Sequence, residues 1–140
     1  MRSLALAAVV VSTAAGLGGC SVPARGNEPP PAGERTVVVD VRWSRFSPSV
    51  VEVPVGTTVR FEVRNADPIA HELIVGDDSV QDRHELGTDA RHGDRPGEIS
   101  VPARSTAVTT RTFSRAGRVP FGCHLPGHWA YGMRGTVTVG

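Results

Sequence analysis

Three side chains near the C-terminus have the types and the spacing to bind one metal ion. Cys123, His128 and Met133 follow one another at intervals of five residues, in a segment that also contains proline and several glycines. A thiolate, an imidazole and a thioether are soft or borderline ligands, and such a set with a second imidazole is typical of mononuclear copper sites that transfer electrons. The spacing therefore predicts a copper site to which another part of the chain supplies a histidine.

His71 is the best candidate for that additional ligand. It follows a polar, proline-containing segment and begins an apolar stretch, so it would lie at the end of a β-strand that approaches the Cys123 loop from another side. A single buried histidine is more often structural, and an isolated cysteine is often only a small core residue. The joint pattern favours a metal site, and a methionine ligand favours copper over zinc.

Short strands with alternating apolar residues make up most of the chain after residue 35. In the clearest of them, Thr57–Arg64, the apolar side chains of Val59, Phe61 and Val63 would face inward. Similar strands are predicted at 36–42, 50–53, 71–75, 98–101, 106–113, 119–123 and 135–139. Many short strands at this spacing predict an all-β fold, an antiparallel sandwich or barrel.

The segment from Gly76 to Gly97 departs from this strand pattern and is predicted to be a loop or short-helix insertion. Asp77-Asp78-Ser79 would begin a helix that continues to Leu86, with Ser79 as the N-cap and Asp82 three residues further on. An insertion of this length in a small sandwich is either functional or mobile.

Three further histidines raise the question of a second metal site. His84 and His92 lie in the insertion among acidic residues, and His124 follows the predicted cysteine ligand. A second, weaker copper site is one interpretation. An ordinary solvated loop is the more common meaning of such a segment.

The N-terminus has the features of an export signal. An apolar run from Leu4 to Ala15, too short to span a membrane, follows the positive start and ends at Leu17-Gly18-Gly19-Cys20, which resembles the lipobox of bacterial lipoproteins. An ordinary secretory signal with a chance cysteine is the alternative. The predicted organisation is a signal peptide over 1–19, a lipidated Cys20 with a proline-rich tether over 20–35, and one domain over 36–140.

The number of cysteines favours a metal site, and the net charge argues against nucleic acid as a partner. If Cys20 carries a lipid, Cys123 has no partner for a disulfide, and metal ligation is a common reason for a free thiol in an exported protein. All fifteen basic residues are arginine, and removal of Arg2 with the signal leaves 15 − 1 = 14 against fourteen acidic residues. A neutral chain without a basic cluster argues against nucleic acid as a partner.

We expect a monomer at the outer face of the cytoplasmic membrane, in the periplasm or in the cell envelope.

Several motifs together resemble the cupredoxins, the blue copper proteins such as plastocyanin, azurin and rusticyanin. They are Phe46-Ser47-Pro48, the segment from Val53 to Phe61, Asn65, His71 and the Cys-x4-His-x4-Met pattern that begins at Cys123. The ligand spacing is most similar to the rusticyanin-like group. The resemblance covers about 36–140 apart from the insertion, and it implies a Greek-key β-sandwich that holds one type 1 copper.

The resemblance also assigns roles to the ligands. It implies that His71, Cys123 and His128 form a trigonal plane and that Met133 is the weak axial ligand. Two residues beside the ligands depart from plastocyanin and azurin. Glu72 stands where those proteins have an asparagine that ties the first ligand strand to the ligand loop, and His124 stands where they have serine or threonine.

These departures predict contacts around the metal. One hypothesis is that Glu72 accepts a hydrogen bond from His124 and so replaces the missing tie, and the alternative is that both side chains face solvent. Asn65 is also expected to lie beside the site. Trp129 and Tyr131, with Leu125 and Pro126, would form an apolar rim for a partner, unless Trp129 instead caps the core.

Two functions fit these observations. The chain could carry one electron between redox partner proteins, or it could sequester copper or deliver it to copper-handling proteins. An oxidase is rejected because Gly122 precedes the cysteine where the multicopper oxidase motif has histidine, and because the sequence has no His-x-His pair. We therefore expect no enzyme activity.

Overall fold

The computed structural model describes residues 32–87 and 93–140. The predicted signal peptide, Cys20 and most of the tether lie outside this part, as does His92. The described residues form nine strands and one helix: β1 (Glu34–Arg42), β2 (Arg45–Ser47), β3 (Val50–Val53), β4 (Thr57–Asn65), β5 (His71–Val75), α1 (Asp78–Glu85), β6 (Glu98–Val101), β7 (Thr106–Phe113), β8 (Gly117–Gly122) and β9 (Arg134–Val139).

The strands form two packed sheets, which confirms the all-β prediction. One sheet has the order β2-β1-β4-β7 and the other β3-β9-β8-β5-β6, so that most neighbours are not consecutive in the chain. The expected antiparallel pairing does not hold in two places, because β1 pairs with β4 and β3 with β9 in parallel. Side chains alternate with a period of two in both arrangements, so the sequence pattern does not distinguish them.

The core lies between the sheets and follows the predicted alternation. Val59, Phe61 and Val63 of β4 are fully buried. The core also includes the side chains of Cys123 and Met133. These two predicted metal ligands are therefore continuous with the hydrophobic core.

The turn between β1 and β2 was not foreseen. Trp43 and Ser44 have left-handed backbone conformations, with φ of 54° and 52°, and they connect β1 to the three-residue strand β2. A strand of three residues is too short for alternation to identify it. Later in the chain, β8 ends at Gly122, so that Cys123 begins the ligand loop instead of ending a strand.

Helix α1 occupies the predicted insertion, but it is capped by a different residue. Asp77 is the N-cap, and its carboxylate accepts a hydrogen bond from the Val80 backbone amide at 3.1 Å. The prediction of Ser79 as N-cap was wrong, because Ser79 lies in the first turn and its hydroxyl donates to Asp77 instead. An N-cap acceptor must reach the amide two or three positions further on, and Asp77 has that geometry.

Helix α1 is attached to the second sheet through a buried polar side chain. The amide nitrogen of Gln81 lies 3.2 Å from the carbonyl oxygens of Ile74, Gly76 and Pro120, which belong to β5, to the segment after it and to β8. This attachment places the helix next to the Cys123 loop. In the part of the chain that the structure describes, no helix is long and apolar enough to cross a membrane.

Candidate metal centre

His71, Cys123 and His128 converge at one end of the sandwich. Their possible ligand atoms all lie within 4.8 Å of one another, and this is the single group of three such residues among those described. The Cys123 sulfur lies 3.2 Å from His128 Nδ1, which lies 3.3 Å from His71 Nδ1. Ligand atoms that share one small ion lie roughly 3.3–3.8 Å apart. The three side chains therefore fit a single metal ion.

The surroundings of these side chains set their protonation. Burial raises the pKa of the Cys123 thiol to about 11, although the Glu72 backbone amide donates to the sulfur at 3.4 Å and opposes this shift. Burial, and then the nearby His71, lower the pKa of His128, which keeps this imidazole in the neutral form that binds metals. Metal binding by the thiolate therefore displaces a proton.

The ligand loop between β8 and β9 is closed by its own backbone. The Cys123 amide donates to the Met133 carbonyl at 3.1 Å, and the Met133 amide donates to the His128 carbonyl at 3.0 Å. Gly132 takes a left-handed conformation with φ of 84°, which favours glycine. Met133 is fully buried at the same end of the core, and its axial ligation stays a prediction.

Asp67 contacts the predicted ligand His71, and the sequence did not predict this contact. Its carboxylate lies 2.9 Å from His71 Nε2 and accepts the backbone amides of Trp43 and Ser44 at 2.8 Å. In the sequence, an aspartate before a proline is typical of a turn. Its contact with a turn 23 and 24 residues away follows only from the pairing of the strands.

Asn65 lies one step further from the metal ligands. Its side-chain oxygen accepts the Asp67 backbone amide at 2.9 Å, and its nitrogen lies 2.8 Å from the Ile69 carbonyl and 2.9 Å from the Pro102 carbonyl. It therefore organises the loop that carries Asp67 and His71. Asn65 contacts this loop and not a ligand, and its role in the metal site stays a prediction.

The predicted hydrogen bond between Glu72 and His124 was wrong. His124 Nδ1 lies 2.9 Å from a Glu85 carboxylate oxygen, and Nε2 lies 2.7 Å from the Gln81 amide oxygen. The alternative, that His124 faces solvent, was also wrong, because its side chain is almost fully buried. Both partners belong to α1, whose position against the sheet could not be read from the sequence. Glu72 contributes its backbone amide to Cys123.

The described part of the insertion does not assemble a second metal centre. His84 is buried, its ring centroid lies 5.7 Å from that of His124, and its Nε2 lies 3.4 Å from a Glu98 carboxylate oxygen. No further group of three possible ligand atoms comes together within residues 32–87 and 93–140. His84 therefore helps to hold α1 against β6.

Trp129 packs inside the loop and does not form a rim. Its ring stacks on His124 at 4.7 Å, and the Arg134 guanidinium lies 5.5 Å from the ring centroid. Gly122 makes this packing possible, since a Cβ added there would collide with the Trp129 ring. Of the two predictions for Trp129, the structure favours the capping role.

Two other aromatic residues are exposed next to His128. Trp43 is 89% exposed and Tyr131 is 78% exposed. Together with Ser44, Arg45, Pro126 and His128 they line an open cleft of about 380 Å³, which we call the Trp43 cleft. Tyr131 was predicted at such a rim, whereas Trp43 was missed because its turn is far from the ligand loop in the sequence.

A two-sheet sandwich with a His-Cys-His cluster at one end defines a copper protein of the cupredoxin class. Residues 35–140 match the family of copper binding proteins described as the plastocyanin/azurin family, and the chain belongs to this family. The soft ligand cluster agrees with that assignment, and copper is the cofactor.

Individual relatives and a solved structure of similar fold are also named as copper proteins. The copper-resistant cuproprotein CopI of Rubrivivax gelatinosus is 36% identical over 111 residues, which are 76% of this chain and 67% of that protein. CopI of Pseudomonas aeruginosa is 28% identical over 138 residues, with 75% and 76% covered. The fold is similar to auracyanin A of Chloroflexus aurantiacus, a blue copper protein, with a TM-score of 0.62, 22% identity, and 77% of this chain and all of that chain covered.

Proposed function

We propose that this protein is a one-electron carrier that acts outside the cytoplasmic membrane. The observation that carries the proposal is the cluster of His71, Cys123 and His128, whose ligand atoms already lie within 4.8 Å of one another. When bound, copper supplies a couple that exchanges one electron. A thiolate and two imidazoles suit both oxidation states in nearly one geometry, so that little rearranges during transfer.

Different residues of the chain exclude water from the site and hold its ligands in position. Burial of His71, Cys123 and Met133 excludes water, and the backbone hydrogen bonds of the loop hold His128 in position. His128 is half-buried and borders the Trp43 cleft. We propose that electrons enter and leave at this edge.

The same edge defines the kind of redox partner that we propose. Exposed Trp43 lines both the Trp43 cleft and a neighbouring groove, which Ala66 and Pro68 also line. Arg45 lies in the cleft, and Arg42 and Arg104 lie in the groove. The opposite side of Pro126 is a cleft that contains Glu72, Glu85 and two histidines. A partner with an apolar patch beside acidic side chains would match the arginine-bearing side.

Voltammetry and electron self-exchange of the copper-loaded protein test this function. A reversible one-electron couple, with copper retained in both oxidation states and rapid self-exchange, is the expected result. Release of copper on reduction, or an absorption spectrum without a strong thiolate-to-copper band, would overturn it.

Copper handling is the second candidate function, and the names of the two CopI relatives favour it. In this case the domain would sequester copper or pass it to copper-handling proteins. Rapid transfer of Cu(I) from the loaded protein to a metal-free acceptor would support this function over electron transfer. Growth of a deletion strain at high copper, with the wild type or Cys123→Ser returned, measures the same function in cells.

We further propose that the chain is exported by residues 1–19 and anchored through a lipid on Cys20. The lipobox-like segment supports this proposal. A labelled fatty acid should be incorporated into the wild type, and Cys20→Ser should move the protein from the membrane fraction to the soluble fraction. Equal membrane association of the variant would contradict the anchor.

We also propose that the chain is not an enzyme and acts as a monomer. Gly122 and the lack of a His-x-His pair support the absence of oxidase chemistry. No oxygen consumption with phenolic substrates, and a molecular mass in solution equal to one chain, are the expected measurements.

A further inference from the structure

We propose that Asp67 is a positioning residue of the copper centre: its carboxylate selects the His71 tautomer that offers Nδ1 to the metal, and it connects this ligand to the Trp43–Ser44 turn. The proposal starts from the three donors that meet one buried carboxylate. It concerns the copper centre alone, so it holds whether the protein carries electrons or handles copper.

The hydrogen-bond partners determine the tautomer. One Asp67 oxygen accepts the Trp43 amide, and the other accepts the Ser44 amide and lies 2.9 Å from His71 Nε2. A carboxylate only accepts, so His71 Nε2 must carry the hydrogen. The lone pair of the neutral ring is then on Nδ1, which is the nitrogen that lies 3.3 Å from His128 Nδ1. The ring therefore presents its free nitrogen to the other ligands before a metal binds.

The arrangement around Asp67 is built for a carboxylate. Asp67 is only 7% exposed, and a buried carboxylate is costly unless donors surround it. Trp43 and Ser44 both adopt left-handed conformations, which are uncommon for residues other than glycine, and both direct their amides at the carboxylate. Successive amides of this kind form an anion-binding concavity.

The protonation of Asp67 agrees with this arrangement. Burial alone would raise the pKa of the carboxyl group. Hydrogen bonds from the Ser44 and Trp43 amides and from His71 outweigh burial and hold the pKa below its ordinary value. Asn65 adds a further restraint, since its side-chain oxygen accepts the Asp67 amide at 2.9 Å.

A charged hydrogen-bond acceptor at His71 Nε2 also changes how strongly His71 binds a metal. A carboxylate that accepts a hydrogen bond from a metal-binding imidazole fixes the ring orientation and makes the ring a stronger donor. A stronger donor favours Cu(II) over Cu(I), and so lowers the reduction potential. Loss of such outer partners typically costs about 10- to 100-fold in metal affinity.

The test compares the full-length wild type with Asp67→Asn. An amide has one acceptor oxygen for the three donors and no charge. Nitrogen NMR of the metal-free wild type should show the His71 ring hydrogen on Nε2, and the variant should show a mixture of tautomers. The variant should bind Cu(II) about 10- to 100-fold more weakly. Its reduction potential should shift to a more positive value.

Two controls distinguish this positioning role of Asp67 from the effect of removing any carboxylate and from the effect of changing the side chains of the turn. Asp40→Asn removes an exposed carboxylate on β1 and should change none of the three measurements. Replacing Trp43 and Ser44 together by glycine keeps both amide donors and should also leave the tautomer unchanged.

The wild type alone can overturn the proposal even if Asp67→Asn does not fold. A His71 ring hydrogen on Nδ1 in the metal-free wild type would contradict the tautomer assignment. If Asp67→Asn folds with unchanged tautomer, Cu(II) affinity and potential, Asp67 is only a structural residue and the proposal fails.

Discussion

The two histidines of the copper centre are held in different ways. His71 is 1% exposed, and its far nitrogen lies against the buried carboxylate of Asp67. His128 is half-buried, is held by the backbone of the ligand loop, and borders the open Trp43 cleft. The first ligand is thus fixed by the interior of the fold, and the second is fixed at the surface.

This difference assigns separate tasks to the two sides of the metal. The buried side determines ligand geometry, because the Asp67 carboxylate holds His71 and is itself held by the backbone amides of Trp43 and Ser44. The exposed side provides contact with the exterior, because His128 borders solvent and two exposed aromatic rings. The predictions below test this contrast.

The largest effect should come from the ligand that both sides share. Cys123→Ser removes the thiolate that lies next to His128 and accepts the Glu72 amide. The strong thiolate-to-copper absorption should vanish entirely, while the far-ultraviolet circular dichroism of the sandwich stays unchanged. An intense visible band in this variant would mean that another group is the charge-transfer ligand.

The two histidines should respond differently when each is truncated. His128→Gly opens a space that continues into the Trp43 cleft of about 380 Å³, whereas His71→Gly leaves an enclosed space. Added imidazole should therefore restore the visible copper spectrum of His128→Gly at lower concentration and faster than that of His71→Gly. Equal restoration of both variants would remove the proposed contrast in access.

Charge reversal should affect the exposed side without altering the spectrum. Arg42→Glu and Arg104→Glu should slow oxidation of the reduced protein by hexacyanoferrate(III), an anion, and speed oxidation by a cationic cobalt(III) phenanthroline complex. The changes should be several-fold at low salt and should fade at high salt. Arg118→Glu, near the start of β8 at the far end of the sheet, is the matched control.

Identical salt dependence of the Arg42 and Arg104 variants and the wild type would contradict the arginine-bearing docking side. If the wild type exchanges electrons with neither reagent, the proposed carrier function itself fails.

The attachment of α1 should contribute to stability more than to the metal site. Gln81→Leu leaves three carbonyl groups and His124 without their amide partner. Unsatisfied buried polar groups cost about 1–3 kcal/mol each, so denaturant unfolding should show a loss of at least this size. Asp82→Ala, on the exposed side of the helix, is the control. A Gln81 variant as stable as this control would show that α1 is not attached by Gln81.

The smallest effect should come from the helix cap. Asp77→Ala should lower the free energy of unfolding by about 1 kcal/mol, because the Val80 amide loses its side-chain acceptor. Hydrogen bonds from Ser79 and Val80 hold the pKa of Asp77 below its ordinary value. A carboxyl group with a lowered folded-state pKa stabilises the fold above its unfolded pKa, and this contribution is lost as the pH falls through the folded pKa.

The difference between Asp77→Ala and the wild type should therefore be largest at neutral pH and should decrease as the pH falls through the folded-state pKa of Asp77, to what a neutral capping oxygen contributes. Asp77→Asn, which retains a capping oxygen without the charge, should stay close to the wild type at neutral pH. A pH-independent deficit in the alanine variant would exclude a contribution from the charge of Asp77, and an alanine variant as stable as the wild type at neutral pH would exclude the capping role.

The sequence predicted the repeating elements of the fold well. Alternation with a period of two located β4, β5, β6 and β7 to within a residue, because burial on one face of a strand imposes that pattern locally. It missed β2, which is too short for alternation, and the left-handed turn at Trp43 and Ser44. The parallel pairing of β1 with β4 was also missed, since pairing direction is a long-range property.

By itself, the sequence determined the chemistry of the centre. A cysteine, histidines and a methionine at fixed spacing define a soft ligand set whatever surrounds them, and His71, Cys123 and His128 do converge in the structure. Only the tertiary structure decided which side chains restrain these ligands and the loop that carries them. Asp67 against His71, and Gln81 and Glu85 against His124, are contacts between segments that strand pairing and helix packing bring together. Such contacts leave no periodic signal along the chain, because each depends on the relative position of two elements and not on the pattern within either one.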